Sequence, residues 1–106
     1  MKDHIISEIT YKIGTNASEN TELINLSNPT WFWFHLEKFP SCHVVVCAEE
    51  LTNEIIGNAG ELVKQNSKYK FKNIGINYCK IDNLIHGKEP GSVHFKSNKQ
   101  VKKFNL

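Results

Sequence analysis

The stretch from Trp31 to Val46, WFWFHLEKFPSCHVVV, limits what this chain can fold into more than any other. Two runs of strand character flank Phe39-Pro40-Ser41, and each run carries a histidine. Side chains alternate faces along a strand, so Phe32, Phe34 and Leu36 go one way and Trp31, Trp33 and His35 the other. The second run, Cys42–Cys47, is rich in valine, whose branched side chain suits a pleated surface. Pairing Leu36 with Cys42 sets His35 directly across from His43, with Cβ atoms about 4.5–5.5 Å apart. Two imidazoles that close, flanked by tryptophan on an exposed face, predict a site or the edge of one.

The other elements follow from local pattern. Ile5–Ile13 reads as an opening strand ending at Gly14. Asn16, with Glu19 three residues on, reads as the start of a short helix near 17–26. Apolar residues at helical spacing (Ile55, Ala59, Leu62, Val63) predict the main helix over about 52–68. Glu49, Glu50 and Glu54 near its start and Lys64 and Lys68 near its end complement the helix dipole. Gly57 and Gly60 weaken it by roughly 1 kcal/mol each relative to alanine, and close helix–sheet packing is a reason to keep them. Asn73–Ile81 reads as a strand, 85–90 as a loop, and Ser92–Lys96 with Gln100–Asn105 as a final hairpin. The sum is a single α+β domain over residues 1–106, mostly antiparallel β-sheet with the main helix packed on it.

With 106 residues, a modest core needs no staples. No apolar run approaches the roughly 20 residues that span a bilayer, so no membrane is expected. Three cysteines without CxxC spacing predict a reduced, cytoplasmic protein. The net charge of +2 conceals a polarised chain: residues 1–63 carry −6 and residues 64–106 carry +8, all of the basic residues being lysine. A basic half suggests a polyanion footprint, although a solvated lysine face gives the same pattern.

Three chemistries compete for the histidine pair. Metal binding could draw on His35, His43, Cys42 and Cys47, but neighbours Cys42 and His43 point to opposite faces, so no metal is expected. Acid–base cleavage of RNA by His35 and His43 would also need a cationic stabiliser, and no nucleotide or hydrolase motif is present, so no catalytic residue is assigned. Nucleic-acid binding uses what is abundant: lysines for phosphates and aromatics for stacking, with Trp31, Trp33, Tyr69, Phe71 and the alternation KYKFK at 68–72 available. The same alternation also suits an edge strand whose lysines discourage aggregation. A protein-interaction surface at Trp31 and Phe32 is a further alternative. No cofactor is implied.

Six segments, in order, carry a family resemblance: GTNASENTEL at 14–23, WFWFH at 31–35, PSCHVVV at 40–46, ELVKQNS at 61–67, INYCKIDNL at 76–84 and EPGSVHF at 89–95. Together they resemble the NFACT-R domain, the RNA-binding module of NFACT proteins, over about residues 9–105. The polar motif positions are Asn16, Asn20, His35, Ser41, His43 and Tyr78, with Trp33-Phe34 the aromatic match. Thr15 stands where the family has arginine, and Trp31 where it has aspartate. The resemblance implies binding to RNA (tRNA or rRNA), a ribosome large-subunit context and a role in rescue of stalled nascent chains, here as a stand-alone module or adaptor. Lys68, Lys70, Lys72, Lys96, Lys99 and Lys102 are the expected phosphate contacts, with Trp31, His35 and His43 shaping a local stacking site. Lysine–phosphate contacts leave DNA open as the bound polyanion.

Overall fold

In the computed structural model, described for residues 1–70 and 72–106, the chain forms an α+β domain. Eight strands are β1 (Lys2–Ile6), β2 (Ile9–Gly14), β3 (Phe32–Leu36), β4 (His43–Val46), β5 (Gly75–Lys80), β6 (Leu84–His86), β7 (Val93–Phe95) and β8 (Lys102–Asn105), and the helices are α1 (Ala17–Leu26) and α2 (Asn53–Gln65). Six strands make one antiparallel sheet in the order β1-β2-β4-β3-β5-β8, while β6 and β7 form a separate two-stranded ribbon. The aromatic and valine strands β3 and β4 thus occupy its centre, buried on both faces.

The alternation along β3 divides the core. Phe34 and Leu36 join Tyr11, Val44, Val46 and Ile76 on the face covered by α2, through Ala59, Leu62 and Val63. Trp33 joins Val45 and Cys79 on the other face, covered by Leu23 and Ile24 of α1 and by Val93 and Phe95 of the ribbon. The predicted exposed tryptophan face is therefore wrong for Trp33, which is 2% exposed. An indole that large is favourable to bury, and the ribbon supplies a covering layer that strand alternation alone does not announce.

Several boundaries also shift. The stretch Ile5–Ile13 is not one strand: β1 and β2 form a hairpin about Ser7 and Glu8, both at positive φ (50° and 69°). Such turns normally announce themselves with Asn-Gly, and neither residue type is present there. The predicted final hairpin does not form. Instead β7 pairs with β6, within what reads as a loop, and β8 returns to the main sheet beside β5. Helix α2 begins at its N-cap Thr52, whose side chain accepts from Ile55 N, leaving Glu49 and Glu50 outside. It ends at Gln65, so Lys68 lies beyond the last turn. The two glycines of α2 differ. A Cβ on Gly60 would come within 2.7 Å of Phe104, whereas one on Gly57 meets nothing within 4 Å. Close packing therefore explains Gly60 alone.

Candidate functional site

The strand register brings the histidines together as expected. Phe34 faces Val44 across β3 and β4, which leads on to His35 opposite His43, their ring centroids 5.1 Å apart and nearly perpendicular. Trp33 lies beneath both. It stacks on His35 at 5.4 Å and 8° and meets His43 edge-on at 5.5 Å. His35 Nδ1 donates to the Leu36 carbonyl at 2.6 Å, since a carbonyl can only accept.

Next to this stack, four remote segments meet in one cleft of about 610 Å³. Its walls come from Thr15, Asn16 and Asn20 at the start of α1, Pro40–His43 at the mouth of the β3–β4 hairpin, Asn66–Tyr69 after α2, and Pro90–Ser92 ahead of β7, with His35 at its base. Each wall has a local cause. Asn16 caps α1 by accepting from Glu19 N at 2.9 Å. The Glu19 carboxylate reaches past the cap to Thr15 N and Oγ1 and to the Met1 ammonium. These contacts, the Thr15 amide first, hold its carboxyl down to about 2. Asn20, 7% exposed, accepts from His43 N at 3.2 Å and ties α1 to the sheet centre. Gly14 leaves room for that carboxamide, which a Cβ there would strike. Ser41 Oγ accepts from Leu36 N at 3.1 Å and donates to the Cys42 carbonyl at 2.9 Å, which closes the hairpin. Gly91 sits at φ +81°, its Cα side against the Ala17 backbone, and its N–H donates to Thr21 Oγ1 at 2.7 Å.

Burial sets the protonation of the pair. Desolvation first, then the neighbouring His35, drive His43 down to about 3, with the Gly91 backbone acting in the opposite direction. Desolvation likewise lowers His35, although its bond to the Leu36 carbonyl favours the cation. Both rings thus favour the neutral form at neutral pH, which gives stacking surface and hydrogen-bonding nitrogens. Cys42 points into the α2 side of the core, and burial pushes its thiol up to about 11. The separation of Cys42 from His43 by strand alternation therefore holds. Among the described residues, no group of three or more His, Cys, Asp or Glu gathers to hold a metal.

The expected site residues divide by position. Asn16, Asn20, His35, Ser41, His43 and Lys68 all line the cleft, with Trp33 as the floor under the imidazoles. Tyr78 lies on the opposite sheet face, stacked on Phe34 at 4.9 Å. Trp31 is half-buried against the Trp33 cluster rather than in the cleft.

All six expected lysines are exposed, but they do not share one patch. Lys72 borders a depression with Glu37 and Asn105, while Lys99 and Lys102 line a groove with Lys80, Phe32 and Tyr78. Lys80 lies 6.0 Å over the Phe32 ring. Lys70 and Lys96 line neither the cleft nor these two surfaces. For Lys70 the reason is local. Residues 66–70 form no strand, so the alternation of KYKFK does not carry Lys70 onto the cleft beside Lys68. Lys96 follows β7 and is held by its backbone, its N–H donating to the Asn83 carbonyl at 2.9 Å. Of the KYKFK aromatics, Tyr69 stacks on Phe39 at 4.6 Å, and Phe71 lies outside the described residues. Pattern reading of the residues missed Asn66, Ser67 and Pro90–Ser92 as cleft residues. The signal was present in the QNS and PGS segments, but no short-range rule says that they meet.

Comparisons relate the chain to known proteins. The family model for the NFACT protein RNA binding domain matches residues 6–97. Coiled-coil domain-containing protein 25 of Bos taurus is 30% identical, aligned over 91% of this chain and 51% of that protein. Its Danio rerio counterpart is 31% identical over 88% of this chain and 50% of that protein. The chain thus spans about half the length of the curated relatives it matches. In fold, it superimposes with a TM-score of 0.89 on the C-terminal part of the fibronectin/fibrinogen-binding protein from Streptococcus suis, covering 98% of this chain and 44% of that one at 21% identity.

Proposed function

Because this chain belongs to the NFACT RNA-binding domain family, we propose that it binds structured RNA, tRNA or rRNA, as a non-catalytic module in ribosome-associated quality control. The observation that carries this reading is the convergence of four family-motif segments on one cleft around His35 and His43, with Lys68 at its rim. Lysine ammonium groups contact phosphates and release counterions, and the neutral imidazoles and neighbouring backbone engage the nucleotide. The groove holding Lys80, Lys99, Lys102 and Phe32 supplies a second phosphate-and-stacking surface. The site of action is the cytoplasm, on or near the large ribosomal subunit. Three unpaired thiols favour a reducing compartment, and no described helix is long and apolar enough to cross a membrane.

Binding to tRNA at two salt concentrations tests the reading. A phosphate-driven complex weakens with a log–log slope of about −0.7 to −0.9 per neutralised phosphate. No binding to tRNA or rRNA at low salt overturns it. Recovery of rRNA or tRNA with the protein from lysate, lost after nuclease treatment, supports the ribosomal context, and cleavage of labelled RNA abolished by His35→Ala would replace the module with a nuclease.

A further inference from the structure

The cleft has a chemical asymmetry that phosphate contacts alone do not use. Four side-chain oxygens lining it already accept within the chain: Asn16 from Glu19 N, Asn20 from His43 N, Ser41 from Leu36 N, and Asn66 from Lys2 Nζ. His35 is different. Its Nδ1–H is committed to the Leu36 carbonyl, so the neutral ring must carry its lone pair on Nε2. Nε2 has no hydrogen-bond partner among the described residues. Nor is it one of the two sealed, unpartnered nitrogens, which are Trp33 Nε1 and His43 Nδ1. The ring is also held in place, stacked on Trp33 and edge-on to His43. At the rim stands Lys68, exposed and cationic. The cleft thus offers a fixed imidazole acceptor and a cation, in a space within the usual range for small-ligand pockets.

A ligand complementary to that pair has a hydrogen-bond donor close to an anion. A ribonucleotide has both on adjacent sugar carbons, the 2′-hydroxyl and the 3′-phosphate, whereas a deoxyribonucleotide lacks the donor. We propose that His35 Nε2 accepts a hydrogen bond from the ribose 2′-hydroxyl of a nucleotide seated in this cleft, and that the module thereby distinguishes RNA from DNA. This rests on the RNA-binding reading and extends it to the group recognised. Burial of the imidazole supports it, because a ring kept neutral at physiological pH accepts there rather than donates.

The test compares single strands of one sequence as RNA, DNA and 2′-fluoro RNA, with wild-type protein and with His35→Phe. The 2′-fluoro strand keeps an RNA-like sugar pucker without the donor, so it separates hydroxyl recognition from shape. Wild type is expected to bind RNA about tenfold more tightly than either analogue, the equivalent of about 1.4 kcal/mol for one hydrogen bond. His35→Phe is expected to bind all three alike with an unchanged salt slope. In the wild-type protein, the imidazole ¹⁵N signal of His35 Nε2 should move with RNA and stay still with the 2′-fluoro strand, a readout that needs no variant to fold. Equal wild-type affinity for RNA and 2′-fluoro RNA, or a still Nε2 signal, overturns the proposal and leaves RNA binding intact. Failure to bind any of the strands overturns the RNA-binding reading itself, and this assignment with it.

Discussion

His43 shows how much one side chain can depend on its surroundings. The unfolded ring titrates near 6.5 and the folded ring is held down to about 3, so between those values the unfolded chain binds more protons. Stability is therefore fully present above about pH 6.5 and declines as pH falls through that window. Thermal melts across pH 7.5 to 5 should show this slope, and His43→Leu should reduce it to the part that His35, lowered in the same direction, supplies. Melts above pH 5 stay clear of Glu19, whose stabilising contribution is lost as pH falls from about 4.5 toward 2. Asn20 provides a second test. Its carboxamide is the acceptor for the buried His43 amide, and Asn20→Leu strands that donor, a loss of about 1–3 kcal/mol in denaturant unfolding. The facing of His35 and His43 was legible, because residue alternation and a short turn determine it. The Asn20 bond was not, because a contact across 23 residues depends on how α1 docks.

At the scale of elements, the two helices were legible because their signals are local. Asn16 followed by Glu19 marks the first turn of α1, and the 3.6-residue apolar spacing marks α2. The β1–β2 and β6–β7 hairpins were not, because pairing is decided by partners. Ser92–Lys96 has two possible neighbours, and burial of Trp33 by Phe95, with rings 5.7 Å apart, favours the ribbon over a terminal hairpin. The contrast between the glycines of α2 gives a further prediction. Gly57→Ala meets no neighbour and should raise stability by about 0.5–1 kcal/mol. Gly60→Ala crowds Phe104 and Leu106 and should gain nothing or lose by about 1–3 kcal/mol. Chemical denaturation of the two single variants separates the outcomes. The Ser7–Glu8 turn is likewise improvable, since Asn-Gly suits its two positive φ angles and should raise the melting temperature.

For the whole molecule, the polarity visible in the chain does not become one basic face. Five of the ten C-terminal lysines lie in the cleft, the Lys80–Lys99–Lys102 groove or the depression at Lys72, and Lys64, Lys70, Lys88, Lys96 and Lys103 lie outside all three. Sequence charge counts cannot foresee this, because β8 crosses back to pair with β5. Charge reversal at each location reads the footprint: if both surfaces contact one RNA, Lys68→Glu and a paired Lys99→Glu, Lys102→Glu variant should each weaken tRNA binding and reduce the salt slope. If only the cleft is used, the second variant binds as wild type. Lys70→Glu is the control for position, since it carries the same charge change outside both surfaces and should weaken binding least.

The central position of β3 and β4 has one more consequence, concerning time rather than place. Strands hydrogen-bonded on both sides exchange their amide protons only when much of the fold opens, whereas segments at the periphery open locally. The base beneath His35 and His43 should therefore show slow exchange, and the Pro90–Ser92 and Asn66–Tyr69 walls fast exchange. On the proposed reading a nucleotide would meet a preset floor between walls that settle around it, so ligand should slow exchange at Gly91 and Ser67 while leaving Val44 and Val45 almost unchanged.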